Sequence, residues 1–410
     1  MLISENKLYN LFQIILALVI VFDMKTIYLY LDDSKLINLF INLFGYIAII
    51  GCVVCSQGIR KKKFVNSAII LAILIVYLLV FYLISSVESD IYFYNIRRCL
   101  IPILYIAFCK KSNDDLLKNI VRLIEIIAVI SLFFWYFGSL LNIIKPTDIV
   151  YSNWAGYVFN IPCNSYFNIY FETQKQDIFS FVGLTRNTAI FSEAPMASFM
   201  FSIALLYHLF YEQNTKKYKY LLITVAIITT LSTTGITVLV MGYGLKYIIG
   251  KTKNRSSSVI KALITPFSII FALFIIIYFV EMKFESFSGL SRIDDIQAGF
   301  KAWLDSPFIG NGFNNIEAIQ KYMSSFRQYN IGYSNTPLYI LACGGIYLAL
   351  PYVIFITKSV NYLLQKKNYQ FLCFYLIFIY MLVITIVPYN MLTILLCGWF
   401  ANNKKNTVGG

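Results

Sequence analysis

Apolar runs of about twenty residues, separated by short polar or basic breaks, recur along this chain from end to end, at the length a helix needs to cross a roughly 30 Å hydrocarbon layer. Backbone groups in lipid must bond within their own segment, which leaves helices or closed barrels. The uninterrupted Ile, Leu and Phe runs lack the alternation of barrel strands. The pattern therefore predicts an all-α polytopic membrane protein, a single integral membrane domain over residues 1–410. Its expected spans are residues 8–24, 36–57, 64–86, 95–109, 117–144, 188–210, 218–233, 236–250, 259–281, 336–357, 369–387 and 389–401. That gives about twelve transmembrane helices. Residues 218–233 and 236–250 are divided only by Ser232 to Gly235, which reads as a tight turn or as a break in one long helix. The first run follows Lys7 but has no small-residue cleavage site behind it, so it is read as an uncleaved first helix.

Two segments, 145–187 and 282–335, escape the pattern of short connections, and loops of such length are usually functional or separately folded. The first holds Trp154, Tyr157, Phe159, Tyr166, Phe167 and Tyr170. Such rings suit stacking on sugars, and equally an aromatic belt at the membrane interface. In the second, Ile296–Leu304 has helical spacing and is expected to lie on the membrane surface.

Composition strengthens the membrane reading: 59% of residues are apolar, and the 13% that are charged fall at about half the usual share of a soluble domain. The net charge of +14 is a matter of topology. Arg60 to Lys63, Lys110-Lys111, Lys216-Lys217, Lys251 to Lys261, Lys366-Lys367 and Lys404-Lys405 all fall on one face of the expected bundle. The positive-inside rule makes that face cytoplasmic, with both termini on it and the two large loops outside. Anionic lipid, not nucleic acid, accounts for the basic surface. Eight cysteines show no disulfide or metal spacing, and Cys52 and Cys55 lie inside an apolar run as lipid-facing or packing residues. No metal and no cofactor is expected.

Candidate chemistry concentrates where the first large loop enters its helix, in GLTRNTAIFSEAP over 183–195. A helix from 188 would set Glu193 about two turns below Arg186. A carboxylate at that depth is a functional candidate, with a simple Arg186–Glu193 ion pair as the plain alternative. Pro195 is expected to free a carbonyl nearby and open a polar notch. The second loop carries Arg292, Asp294, Asp295 and Arg327, then SPFIGNGFNN over 306–315, whose Pro-x-x-Gly-x-Gly predicts a tight turn with close backbone approach. SNTPLYILACGGI follows over 334–346. His208 is read as a packing or interfacial residue, and Arg122 with Glu125 as a local helix pair.

These three motifs, on a many-span bundle with two large outer loops, resemble the O-antigen polymerases and ligases of bacterial surface-polysaccharide synthesis. Ligases of that group resemble one another in a His-Asn pair where this chain has Ser334-Asn335, which favours the polymerase branch. The resemblance implies a GT-C-like bundle in the bacterial inner membrane with two large periplasmic loops. It implies a lipid-diphosphate-dependent glycosyltransferase that joins repeat units carried on undecaprenyl diphosphate, alongside a chain-length regulator protein. Arg186 and Arg292 would stabilise the leaving diphosphate, with Arg327 third, since guanidinium forks suit phosphate oxygens. Glu193 would be the base, with Asp294 or Asp295 in reserve, and Asn314, Asn335 and Trp154 would contact the substrate. A ligase, and a non-enzymatic polysaccharide flippase, are the alternatives.

Overall fold

The computed structural model describes residues 2–31, 34–55, 61–85, 89–109, 115–153, 160–178, 181–212, 215–250, 287–327 and 331–399. Apart from 259–281, which lies outside these residues, every expected span coincides with a helix. They are α1 (Leu2–Asp23), α2 (Ser34–Cys55), α3 (Lys61–Ile84), α4 (Ser89–Leu104), α5 (Leu116–Phe134), α6 (Ala194–Leu206), α7 (Lys217–Thr229) and α8 (Thr233–Ile249). After α9 (Phe287–Asp305) and the short α10 (Glu317–Gln320) come α11 (Thr336–Gln365), α12 (Tyr369–Val383) and α13 (Met391–Trp399). Among the described residues six helices, counting their helical extensions, are long and apolar enough to cross a membrane: α2, α3, α4, α5, α6 and α11. The protein is thus an all-α polytopic membrane protein. The Ser232–Gly235 alternatives resolve as a turn at 230–232 between two separate helices, both packed on α6.

Burial sorts these helices. α6 is apolar all round and buried along nearly its whole length, the mark of a helix at the centre of a bundle. α3 is its opposite, with Ile70, Ile73 and Leu83 more than half exposed and no polar face, a surface suited to lipid. Cys52 and Cys55 are buried in the main apolar core, as packing residues should be.

The segment before α6 is built of strands. β1 (Asp148–Ser152), β2 (Ile161–Tyr166) and β3 (Tyr170–Glu172) form an antiparallel sheet, and β4 (Lys175–Ile178) pairs with β5 (Phe181–Thr185). Tyr166 and Tyr170 are buried against Phe134 in a small satellite core, so these two rings pack rather than offer faces to a ligand. Phe167 stays exposed; Trp154, Tyr157 and Phe159 lie outside the described residues.

Three local readings need correction. α6 begins at Ala194 rather than near 188: Glu193 is its N-cap, in extended conformation (φ −149°, ψ 153°). Pro195 then sits in the first turn, where its missing N–H breaks no helical bond, so no carbonyl is freed. Glu125 does not pair with Arg122 but faces His208 Nε2 at 2.7 Å and Lys219 Nζ at 3.0 Å, while Glu212 faces His208 Nδ1 at 2.8 Å. His208 therefore ties α5 to the end of α6, a firmer role than packing alone.

Candidate active site

The 186–193 loop is fixed at both ends by backbone groups that helices leave unpaired. The last carbonyls of α7 accept from it: Asn187 N donates to Thr229 O (3.0 Å), Arg186 Nε to Thr230 O (2.9 Å) and Arg186 Nη2 to Leu231 O (3.4 Å). A cation at a helix C-terminus also suits the helix dipole. Asn187 Nδ2 reaches Ser131 Oγ and Thr229 Oγ1, anchoring the loop to α5. At the other end, Gln174 Oε1 accepts from Ala194 N (2.9 Å) at the start of α6 and from Arg186 Nη1 (3.4 Å). Gln174 thus does the capping that a residue in Glu193's position ordinarily performs.

The Glu193 carboxylate is consequently left free. It makes no capping hydrogen bond. Among the described residues it joins no ion pair, so the simple Arg186–Glu193 bridge is not formed. It nevertheless acts electrostatically on Arg186, Arg292, Lys25 and Tyr30. Burial pushes the Arg186 guanidinium down to about 10, with Glu193 opposing and Arg292 adding to the fall. Burial likewise lowers Arg292 and Lys25, each partly restored by Glu193, and raises the Tyr30 phenol. Three cations against one carboxylate leave a formal surplus of two positive charges.

Lys25 enters from the far end of the sequence. The turn after α1 is stitched to the loop: Ile27 N donates to Ile190 O and Ser192 N to Lys25 O, both at 2.9 Å. Lys25 itself adopts φ +50°, a left-handed conformation that a non-glycine residue holds only where its surroundings impose it. Nothing in its neighbourhood in sequence marks it; only the tertiary stitching does.

Other expected site residues fall elsewhere. Arg327 is buried and engaged, with Nη1 2.9 Å from Asp295 Oδ1 and 3.5 Å from Asp294 Oδ2. Asp294 also accepts from Ser324 Oγ (2.6 Å) and Asp295 from Ser334 Oγ (2.6 Å). This set braces α9 against the segment before α11. Asn335 caps α11, its Oδ1 accepting from Leu338 N at 2.9 Å. Asn314 accepts from Tyr339 OH (2.6 Å) and lines the cavity described below.

The glycine motif has a distinct task. α11 breaks at Gly345 (φ 59°, ψ −165°), and the freed groups bond to the 306–315 turn. Ile346 N donates to Pro307 O (2.9 Å), Tyr347 N to Phe308 O (3.0 Å), and Asn311 N to Ala342 O (2.9 Å). A Cβ on Gly310 would stand 2.4 Å from the Cys343 carbonyl carbon, so the close approach read from the sequence is real. Broken backbone at membrane depth is tolerated where other protein satisfies it, and here the turn does so.

A comparison with protein families now bears on this geometry. Residues 179–353 match the family model described as O-antigen ligase. That match is consistent with the O-antigen polymerase/ligase superfamily. Arg186, Glu193, Arg292 and the Gly310 turn all lie inside it, whereas Lys25 and Gln174 do not. Members of that family are membrane glycosyltransferase-like enzymes, polymerases and ligases, and the match supports a function of that general type. No curated protein and no solved structure matches the chain.

Proposed function

We propose that the protein is a polysaccharide polymerase of the inner membrane, acting on its periplasmic face with both termini in the cytoplasm. It joins undecaprenyl-diphosphate-linked repeat units of O-antigen or capsule. The observation that carries this reading is the unpaired Glu193 carboxylate among Arg186, Arg292 and Lys25. The cations bind the lipid diphosphate, with the two guanidiniums matching its oxygens in paired hydrogen bonds. An acceptor sugar hydroxyl forms a bond to the anomeric carbon of the donor glycan. The bond from that carbon to the diphosphate oxygen breaks, and its electron pair leaves with the diphosphate. Glu193 takes the hydroxyl proton as general base. Lipid-linked glycan and bilayer are the partners, together with a chain-length regulator.

A ligase is the second reading, favoured by the description of the matched family. Against it, Ser334 is engaged with Asp295 and Asn335 with the α11 cap, and neither brings an imidazole to the cations. Deleting the gene and running surface polysaccharide on a gel separates the readings. A polymerase mutant displays a single repeat unit, whereas a ligase or flippase mutant loses surface glycan. Arg186→Ala, Arg292→Ala and Glu193→Gln should each abolish the ladder at normal protein level; full ladders from all three would remove the site.

A further inference from the structure

Beside the cation cluster lies a cavity of about 390 Å3, within the range of small-molecule sites. Its walls come from the end of α1 and the turn after it, Asn38 near the start of α2, the middle of α4, the 386–390 turn before α13, and Asn314 with Tyr339. Lys25 and Tyr30, on both of which Glu193 acts electrostatically, line it as well, so it borders the same site.

Two of the charges in its wall, Asp23 and Arg98, are matched to each other, and Lys25 is the third. Asp23, fully buried, pairs with Arg98 and accepts from Met391 N (2.7 Å), while Tyr94 OH accepts from Arg98 Nη1 (2.8 Å). Apart from Lys25, what remains open is neutral. Among the described residues the Asn38 side chain has no hydrogen-bond partner, and Asn314 has used only its oxygen. The Tyr389 hydroxyl is buried without a partner at all. An unpaired buried hydroxyl is costly unless something else fills its need. Amide groups and phenol rings together are the chemistry that holds the hydroxyls and the faces of a pyranose.

We infer that this cavity seats an uncharged sugar residue of the glycan beside Glu193, with Asn38, Asn314 and Tyr389 hydrogen-bonding its hydroxyls. The inference rests on the reading of Arg186, Arg292 and Glu193 as a glycan-transfer site. It adds a division of labour. Arg186, Glu193, Arg292 and the cavity's Asn314 and Tyr339 lie within the matched 179–353, whereas Asp23, Lys25, Asn38, Arg98 and Tyr389 lie outside it. The proposed base and both guanidiniums thus belong to the family segment, while most of the wall that faces the sugar comes from the rest of the chain.

The test uses the full chain in lipid nanodiscs and isothermal titration calorimetry with two probes. One is undecaprenyl diphosphate, without sugar. The other is the oligosaccharide repeat unit released by mild acid from the lipid-linked pool of a strain lacking the gene. The wild type should bind both. Asn38→Ala with Tyr389→Phe should weaken the oligosaccharide about tenfold, the loss of one or two hydrogen bonds, and leave undecaprenyl diphosphate unchanged. Tyr389→Phe alone removes only a partnerless hydroxyl, so the unliganded protein should melt no lower than wild type. Unchanged oligosaccharide affinity in the double variant, or none in the wild type, would overturn the cavity assignment. Arg186→Ala and Arg292→Ala are the separate arm: if both bind undecaprenyl diphosphate normally, the transfer-site reading fails instead.

Discussion

Two glycines with left-handed backbones offer a controlled comparison of space against conformation. Gly310 has φ +79° and Gly183 has φ +69°. A Cβ on Gly183 meets nothing within 4 Å, whereas on Gly310 it would stand 2.4 Å from both Cys343 C and Gly344 N. Gly183→Ala therefore pays the conformational term alone, about 1–2 kcal/mol. Gly310→Ala pays the same and must also push the turn off the α11 break, because backbone cannot swing aside. Retreat opens Asn311 N to Ala342 O and Ile346 N to Pro307 O, both 2.9 Å bonds. Each buried group left unpaired costs roughly 1–3 kcal/mol, so the total is roughly 3–8 kcal/mol. Thermal unfolding in detergent, followed with a thiol-reactive dye, reads this directly, since Cys343 is buried at the contact. Gly310→Ala should melt well below Gly183→Ala, with early labelling. Equal melting of the two variants would refute the claim that the turn seals the break.

Gln174→Glu sets a carboxylate at the start of α6, worth about 0.3–1 kcal/mol by the helix dipole, and beside Arg186. Melting temperature should rise while chain elongation falls, because the Arg186 charge is drawn off; undiminished ladders would mean that charge is not used. Lys25 gives a pH signature: burial holds its pKa below that of an ordinary lysine, so its charge is lost earlier as pH rises. The alkaline limb of the elongation rate should move to higher pH in Lys25→Arg, and an unmoved limb would take Lys25 out of the site.

The membrane helices could be read from hydropathy because lipid imposes one requirement on every span: twenty apolar residues with their backbone bonds satisfied internally. The start of α6 was misplaced for the same reason. Thr188 to Phe191 is apolar enough to extend a helix, and only Pro195 in a first turn hints that the helix begins later. Arg186, Glu193 and Arg292 were legible as costly charges in recognisable motifs, and the fold gathers them. Arg327, Asp294 and Asp295 looked equally available, yet they occupy one another, and sequence does not distinguish paired charges from free ones. Lys25, Gln174 and the Asp23–Arg98 pair were invisible because their meaning lies in contacts between distant segments.

Asp23 carries a consequence for how the molecule is made. Its backbone oxygen accepts from Asn390 Nδ2 and its carboxylate from Met391 N, so the end of α1 is held by the start of α13. During synthesis that carboxylate can meet Arg98 of α4 early, but its bond from Met391 N forms only once α13 has emerged. Until α13 arrives, the wall between Lys25 and Tyr389 has no second side, and an unfinished chain holds the cations without the pocket beside them. The pocket is therefore completed only with α13, after the cations are in place.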